Sequence, residues 1–303
     1  MALTILRVDP KTRTEFARTL DPAARAATYG LGRSGARAPL PLYLRQVWRQ
    51  RDFVMSFATA ETMSNYAHAK LGQIWQVLTP LLNSAVYYLV FGELLHTHRG
   101  VKHFLGFLVT GFFVFTFSQT AVLSGSKSIS GKLELIRAVH FPRACLPLGY
   151  TVAQLQQLGF AVAVFVVIDG VQTRSVAVSW LWLLPILLLL TMFNAGLALI
   201  VARLGARTPD VNKLMPFLLR TWMYCSGTFY NIETLVHGHS HWIETVFSIN
   251  PAALFMDAAR TAMGVPGATL PGYAWWELPL WSVGLLVVGF IFFWQDEEQY
   301  GRG

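Results

Sequence analysis

Charge is what this chain has least of. Only 13% of its 303 residues are Asp, Glu, Lys or Arg, against about 25% in ordinary soluble domains. That deficit excludes a water-soluble globule of this length and makes lipid the solvent for much of the surface. Cysteine is nearly absent: Cys145 and Cys225 are the only two. Both fall in or beside apolar runs without motif spacing, so they read as small buried residues and not as a disulfide framework or metal cluster. A cleavable signal is not expected, because residues 1–40 lack the apolar core that one requires. Nor is there room for a second soluble domain of ordinary size.

Long apolar runs are present instead. Six are near or above the ~17–20 residues that cross a bilayer as a helix: Ile74–Leu95, Phe104–Leu123, Leu146–Ile168, Trp180–Ala202, Leu214–Tyr230 and Leu278–Trp294. The basic residues alternate with them. Of 24 Lys/Arg, 20 fall before span one, between spans two and three, around the start of span five, or at the end. Basic residues are retained in the cytoplasm, so six spans with both termini cytoplasmic are expected. A basic chain also raises nucleic-acid binding, but this charge flanks spans and forms no continuous patch; no nucleic-acid partner is expected.

Residues 1–39 read as an irregular cytoplasmic tail, residues 40–70 as an interface helix with its linker, and residues 71–303 as the membrane domain. In Leu42–Phe57, Leu44, Val47, Trp48, Val54 and Met55 recur at helical spacing, while Arg45, Arg49 and Asp52 face elsewhere. That pattern fits an amphipathic helix lying in the membrane interface; a helix packed on soluble protein would look similar. Between spans two and three, Lys132-Leu133-Glu134-Leu135-Ile136-Arg137 is expected to form a short helix before Phe141-Pro142. Thr208-Pro209-Asp210 reads as a helix start, with a capping hydroxyl, Pro at the first position and an acid near the positive end. Ile249–Ala262 is apolar but too short to span, and is expected to be a re-entrant hairpin in the outer leaflet.

Chemical motifs are few. Gly125 to Lys132 looks like a phosphate-binding loop, but has five residues between its glycines and Leu133 where a Ser or Thr is needed. Nucleotide binding is therefore not expected in this chain. His96, His98, His103, His237, His239 and His241 lie in outside loops without Cys or Glu support; solvated loops are the plainer reading, and no metal site is expected. Asp169, Glu233, Glu244, Asp257 and Glu277 are scattered, with no paired carboxylates or hydrolase triad. An integral membrane glycosyltransferase is thus only a lesser, other-class reading. Polar residues within spans need partners. Gln154 and Gln157 share a face of span three, Arg220 sits well inside span five, and Asn83 and Asn194 fit bonds across helices. Tyr87, Tyr88, Phe113, Phe117, Trp222 and Tyr224 belong to a dense aromatic set that suits either a glycan-lined channel or a lipid-facing surface.

Four segments together resemble one family, the permease subunits of type-2 ABC exporters for O-antigen, teichoic acid and related lipid-linked glycans. They are Tyr66-x-x-x-Lys70-Leu71-Gly72-x-x-Trp75-x-x-Leu78-x-Pro80-Leu81; Ile136-Arg137-x-x-x-Phe141-Pro142-Arg143-x-x-Leu146-Pro147; Arg203-x-x-x-Arg207-x-x-Asp210; and Asn250-Pro251 followed by Arg260 and Gly264. They run from about residue 40 to the end. Where many relatives carry Ser-Pro at the outer end of span five, this chain has Ser226-Gly227.

The resemblance implies an all-α permease that is not itself an enzyme. It implies a homodimer with two ATPase subunits, ATP and magnesium being held by those partners and no cofactor by this chain. The helix Lys132–Arg137, with His140, would be the coupling helix seated on the ATPase. Arg45, Arg49, Arg51 and Trp48 would meet a lipid pyrophosphate at the interface, since guanidinium pairs bidentately with phosphate. Tyr87, Tyr88, Phe113, Phe117, Gln154, Gln157, Trp222 and Tyr224 would line the glycan channel. Asn250, Pro251, Phe255 and Arg260 would form the outer gate. An O-antigen, teichoic-acid-like or galactan cargo would fit; export of a drug or small lipid is the runner-up.

Overall fold

A computed structural model describes residues 37–65, 70–72, 74–94, 104–173, 178–230, 249–266, 268 and 270–300. Among them there is no strand. Ten α-helices occur: α1 Leu40–Arg49, α2 Arg51–Ser64, α3 Ile74–Tyr87, α4 Phe104–Lys127, α5 Leu133–Ala138, α6 Cys145–Thr173, α7 Leu183–Arg207, α8 Pro209–Cys225, α9 Pro251–Ala262 and α10 Ala274–Trp294. A π-helical turn, Tyr88–Leu94, prolongs α3, and short 3₁₀ turns precede α5 and α7. All belong to the unit Pro39–Gly303.

Each expected span overlaps a helix. Three stretches, Gly106–Lys127, Ser179–Arg207 and Ala274–Trp294, are long and apolar enough to cross a membrane by length and composition alone. The 29-residue α6 has the length as well. The expected fifth span needs correction at both ends. Helix α8 begins at Pro209 and stops at Cys225, because Gly227 takes a left-handed φ of 67° that ends the helix. Its 17 residues reach only about 26 Å. Pro209 does occupy the first turn, but the Thr208 hydroxyl makes no capping bond. The expected single helix over Leu42–Phe57 is likewise two helices, broken at Gln50, whose φ of −91° and ψ of 16° are not helical.

The core gathers Phe107, Phe112, Phe113, Phe115 and Phe117 of α4 against Ile186, Leu190 and Phe193 of α7 and the buried side of α9. Helices α7 and α10 meet backbone to backbone: a Cβ on Gly289 would strike Gly196, and one on Gly196 would strike Leu285. Small residues at such crossings are how apolar helices gain close packing when lipid offers no hydrophobic drive. Gly125 plays the same part between α4 and Ala198 of α7.

The polar bonds divide the bundle into two ends. One end, rich in arginine, holds the last turns of α4, α7 and α10, the first turns of α6 and α8, and both α1 and α5. At the other end α9 is packed on the first turns of α4 and the turn after α8.

Candidate functional site

At the arginine-rich end the segment after α10 folds back on α1. Tyr43 of α1 is buried and donates to Glu297 at 2.7 Å; its oxygen accepts from the Ala144 N–H at 3.2 Å. The same carboxylate accepts from the Arg143 N–H at 3.0 Å and is 3.5 Å from the Arg143 guanidinium. Burial pushes the Glu297 carboxyl above its ordinary range, against the pull of Arg143 and Tyr43. It also pushes the Tyr43 phenol well up. Beside it, Asp296 receives both Arg203 and Arg207 of α7. The guanidinium of Arg203 also stacks 4.0 Å from the Phe292 ring centre. The motif arginines Arg203 and Arg207 are thus partnered by the tail, while Asp210 faces Lys213 at 3.9 Å on an exposed surface.

The residues expected at a lipid interface lie on the outside of this end. Leu42, Leu44, Arg45, Trp48 and Arg49 of α1 and Arg51 of α2 are exposed, Trp48 to 70%. Arg51 lies 5.9 Å from the Trp48 ring centre and 3.8 Å from Asp52. The opposite face of α2 packs on α6, with Phe57 against Tyr150 and Gly149.

The expected coupling residues are divided. Glu134, Arg137 and His140 are exposed, and Leu133 and Leu135 half-buried. Ile136 is buried, and Lys132 is turned inward to Glu61 of α2 at 3.3 Å. The helix is therefore tied to α2 as well as displayed.

The expected channel residues fall into two groups. Phe113 and Phe117 of α4 and Gln154 and Gln157 of α6 line one cavity of about 200 Å³, together with Thr79 and Asn83 of α3. Trp222 and Tyr224 stand apart on α8. Trp222 is half-buried against Phe115 and Phe193, and its indole N–H donates to Asn250 at 3.0 Å. It is held in place by its own subunit. Tyr224 is 52% exposed. Lys213, Phe217, Arg220 and Tyr224 recur at helical spacing down one exposed stripe of α8. Tyr88 is also exposed, while the Tyr87 side chain lies outside the described residues.

The expected gate residues are packed against α4 and the turn after α8. The expected hairpin over Ile249–Ala262 is instead one helix, α9, unbroken from Pro251 to Ala262. Asn250 caps it through the Ala252 N–H and also binds the Cys225 carbonyl and the Ser226 hydroxyl, joining α8 to α9. Pro251 opens the helix, and Phe255 is wholly buried. Arg260, 2% exposed, donates to the carbonyls of Phe107, Gly227 and Thr228 and to Asp257. Its guanidinium lies 3.4 Å from the Phe107 ring centre, in a space that Gly111 leaves open. The six outside-loop histidines lie outside the described residues.

Sequence reasoning missed Asp296 and Glu297, Tyr43, and the threonines of the cavity. The acidic run after Trp294, at the same membrane face as Arg203 and Arg207, was the available signal for the first two.

Residues 54–263 match the model of the ABC-2 type transporter family. The chain is 23% identical to an O-antigen export system permease protein RfbA of Klebsiella pneumoniae over 203 residues, 67% of this chain and 76% of that protein. It is 24% identical to the protein of the same name in Myxococcus xanthus over 193 residues, 63% of this chain and 73% of the relative. To the polysialic acid transport protein KpsM of Escherichia coli it is 22% identical over 257 residues, 82% and 95% of the two chains. The chain therefore belongs to the ABC-2 type transporter family, as a multi-pass membrane permease subunit without a catalytic domain, whose partner is an ATPase subunit.

Proposed function

We propose that this permease works as a homodimer with two ATPase subunits and exports a polysaccharide carried on polyprenyl pyrophosphate. Six spans with both termini cytoplasmic, and the division into tail, interface helix and membrane domain, belong to the same reading. ATP and magnesium act in the partners. The observation that carries the cargo class is kinship with permeases named for O-antigen export and polysialic acid transport.

The stripe on α8 supports a path between two copies. A lysine, a phenylalanine, an arginine and a tyrosine exposed along one helix make a poor lipid face, since a charge at membrane depth is costly. They make a good wall for a hydrated chain of sugars, whose apolar C–H faces slide over aromatic rings. Exposed Leu44 and Trp48 beside Arg45 and Arg49 suit a lipid tail and its pyrophosphate at the entry. Glu134, Arg137 and His140 offer the ATPase a surface, and the bond from Lys132 to Glu61 links that surface to α2. A drug-sized cargo would call for a pocket of about 300–1,000 Å³, larger than the α3–α4–α6 cavity.

Co-expression with the candidate ATPase and purification in mild detergent tests the assembly. A 1:1 complex that hydrolyses ATP is expected; a lone chain under gentle conditions would overturn the reading. Export of polysaccharide in cells tests the path: Tyr224→Ala should cut it several-fold while the complex still assembles. Unchanged export would remove Tyr224 from the channel.

A further inference from the structure

The cavity between α3, α4 and α6 is more than a stretch of wall. We propose that it is a binding site, within a single subunit, for one neutral pyranose ring. The inference rests on the polysaccharide reading above and names the part of the cargo that the cavity takes.

Three helices contribute polar groups at one level. Thr79 and Asn83 are four residues apart on α3, Thr116 and Thr120 four apart on α4, and Gln154 and Gln157 three apart on α6, so each pair shares a face. Asn83, Thr116 and Gln154 stand about 14–17 Å along their helices from the arginine-rich end. That depth lies within the apolar thickness of a bilayer, where polar side chains are costly unless paired. The Thr116 hydroxyl is buried and has no hydrogen-bond partner among the described residues. Gln154 is buried, and no partner is seen for its carboxamide or that of Gln157 among the described residues. A packed helix contact would have paired these groups with one another.

The chemistry of the lining selects the ligand. Carboxamides and hydroxyls both donate and accept, as the vicinal hydroxyls of a sugar require. Phe113 and Phe117 supply ring surface for the opposite, C–H face. Among the described residues no charged side chain lines the cavity, which disfavours a phosphate or an ammonium group. A volume of about 200 Å³ suits one ring, below the range of drug-sized pockets. The site would grip successive rings weakly, so that each is held and then released.

The test uses the complete complex with its ATPase, in lipid nanodiscs. Saturation-transfer NMR is recorded with methyl glycosides of galactose, glucose, mannose and rhamnose, and with glycerol 3-phosphate as the headgroup probe. At least one methyl pyranoside should take up saturation through its ring C–H protons. That transfer should fall at least fivefold in Gln154→Leu and in Gln157→Leu. Ala161→Met, which fills the cavity without touching its polar groups, should abolish it in complexes that elute as wild type does on gel filtration. Equal transfer in wild type and all three variants would overturn the proposal. So would transfer to glycerol 3-phosphate alone, or to none of the probes, the cavity then holding lipid headgroup or water. ATP-dependent export by the wild-type complex in cells separates the two readings: export without pyranoside binding removes the site alone, and absence of export removes the polysaccharide function.

Discussion

Arg260 binds three elements with one side chain. Its donors close the carbonyls of Phe107 on α4 and of Gly227 and Thr228 after α8, while its own backbone sits in α9. Buried carbonyls without partners cost about 1–3 kcal/mol each, so the arginine stabilises the α9 end of the bundle chiefly by satisfying them. Gly111 is part of the same device, because a Cβ there would enter the guanidinium and approach the Thr228 carbonyl. Two alanine substitutions on α4 separate this from helix propensity. Both gain about 1 kcal/mol of helix preference over glycine, but only Gly111→Ala collides. Gly106→Ala meets nothing closer than Val265 at 3.7 Å. In detergent melts followed by fluorescence size exclusion, Gly111→Ala should lower the melting temperature by several degrees, and Gly106→Ala should hold or raise it. Equal behaviour would show that the Arg260 seat is not tight. The sequence marked Asn250, Pro251 and Arg260 as a set, and Asn250 and Arg260 both bond to the turn after α8. The sequence could not show which carbonyls Arg260 satisfies, because that depends on which ones the fold leaves open. Glycine 264 was similarly legible only as punctuation. Its φ of 72° closes α9, with the Gly264 N–H on the Thr261 carbonyl and the Val265 N–H on that of Arg260.

Helix α1 depends on a residue at the far end of the chain. The Tyr43–Glu297 bond spans 254 positions, and no local pattern announces it. Hydrophobic spacing located α1 and α2 but read them as one helix, since a break at Gln50 needs only one non-helical residue and no Pro or Gly. Segment starts marked by proline, as at Pro209, were legible; the end of α8 was marked by Ser226-Gly227, although the apolar run continued the expected span to Tyr230. The Glu297 contact gives α1 a pH dependence. Burial raises this carboxyl above its ordinary 4.5, so the folded protein holds the proton more tightly than the unfolded chain does. Stability from the group is then full below the ordinary value and is lost as pH rises through the raised one. Glu297→Gln removes the titration while keeping the shape. The melting temperature of wild type relative to this variant should fall as pH increases from about 4 to neutrality. A difference that is constant with pH would mean that Arg143 holds the carboxylate ionised throughout. Tyr43→Phe removes one donor and one acceptor at once, and leaves the Ala144 N–H and a carboxylate oxygen unpaired. It should lower the melting temperature of the whole chain, and limited proteolysis should cut first near α1.

The bundle presents two kinds of outer surface. Leu280, Val283, Val287 and Val288 of α10 and Leu184 and Leu188 of α7 are exposed and wholly apolar, as a face to lipid should be. Helix α8 differs: Lys213, Phe217, Arg220, Thr221 and Tyr224 are exposed on a helix of about 26 Å, too short to span a ~30 Å core without help. A second copy placed against α8 would cover the charges and allow the bilayer to keep its thickness beside the pair. Two-fold assembly makes such a contact self-complementary, so residues near the axis meet their own counterparts. Cysteine cross-linking reads this directly. The exposed Cys225 is first changed to serine, leaving buried Cys145. Single cysteines then replace Phe217, Leu218, Thr221 and Tyr224 in turn, with Val287 of α10 as the lipid-facing control. Bridging requires Cα atoms within about 7 Å. Under mild oxidation in native membranes, at least one of the four α8 positions should yield a covalent dimer, spaced from the others that do by three or four residues. Position 287 should stay monomeric. A dimer from 287 and none from α8 would put the partner on the opposite side of the bundle, and the Lys213–Tyr224 stripe would then need a different cover.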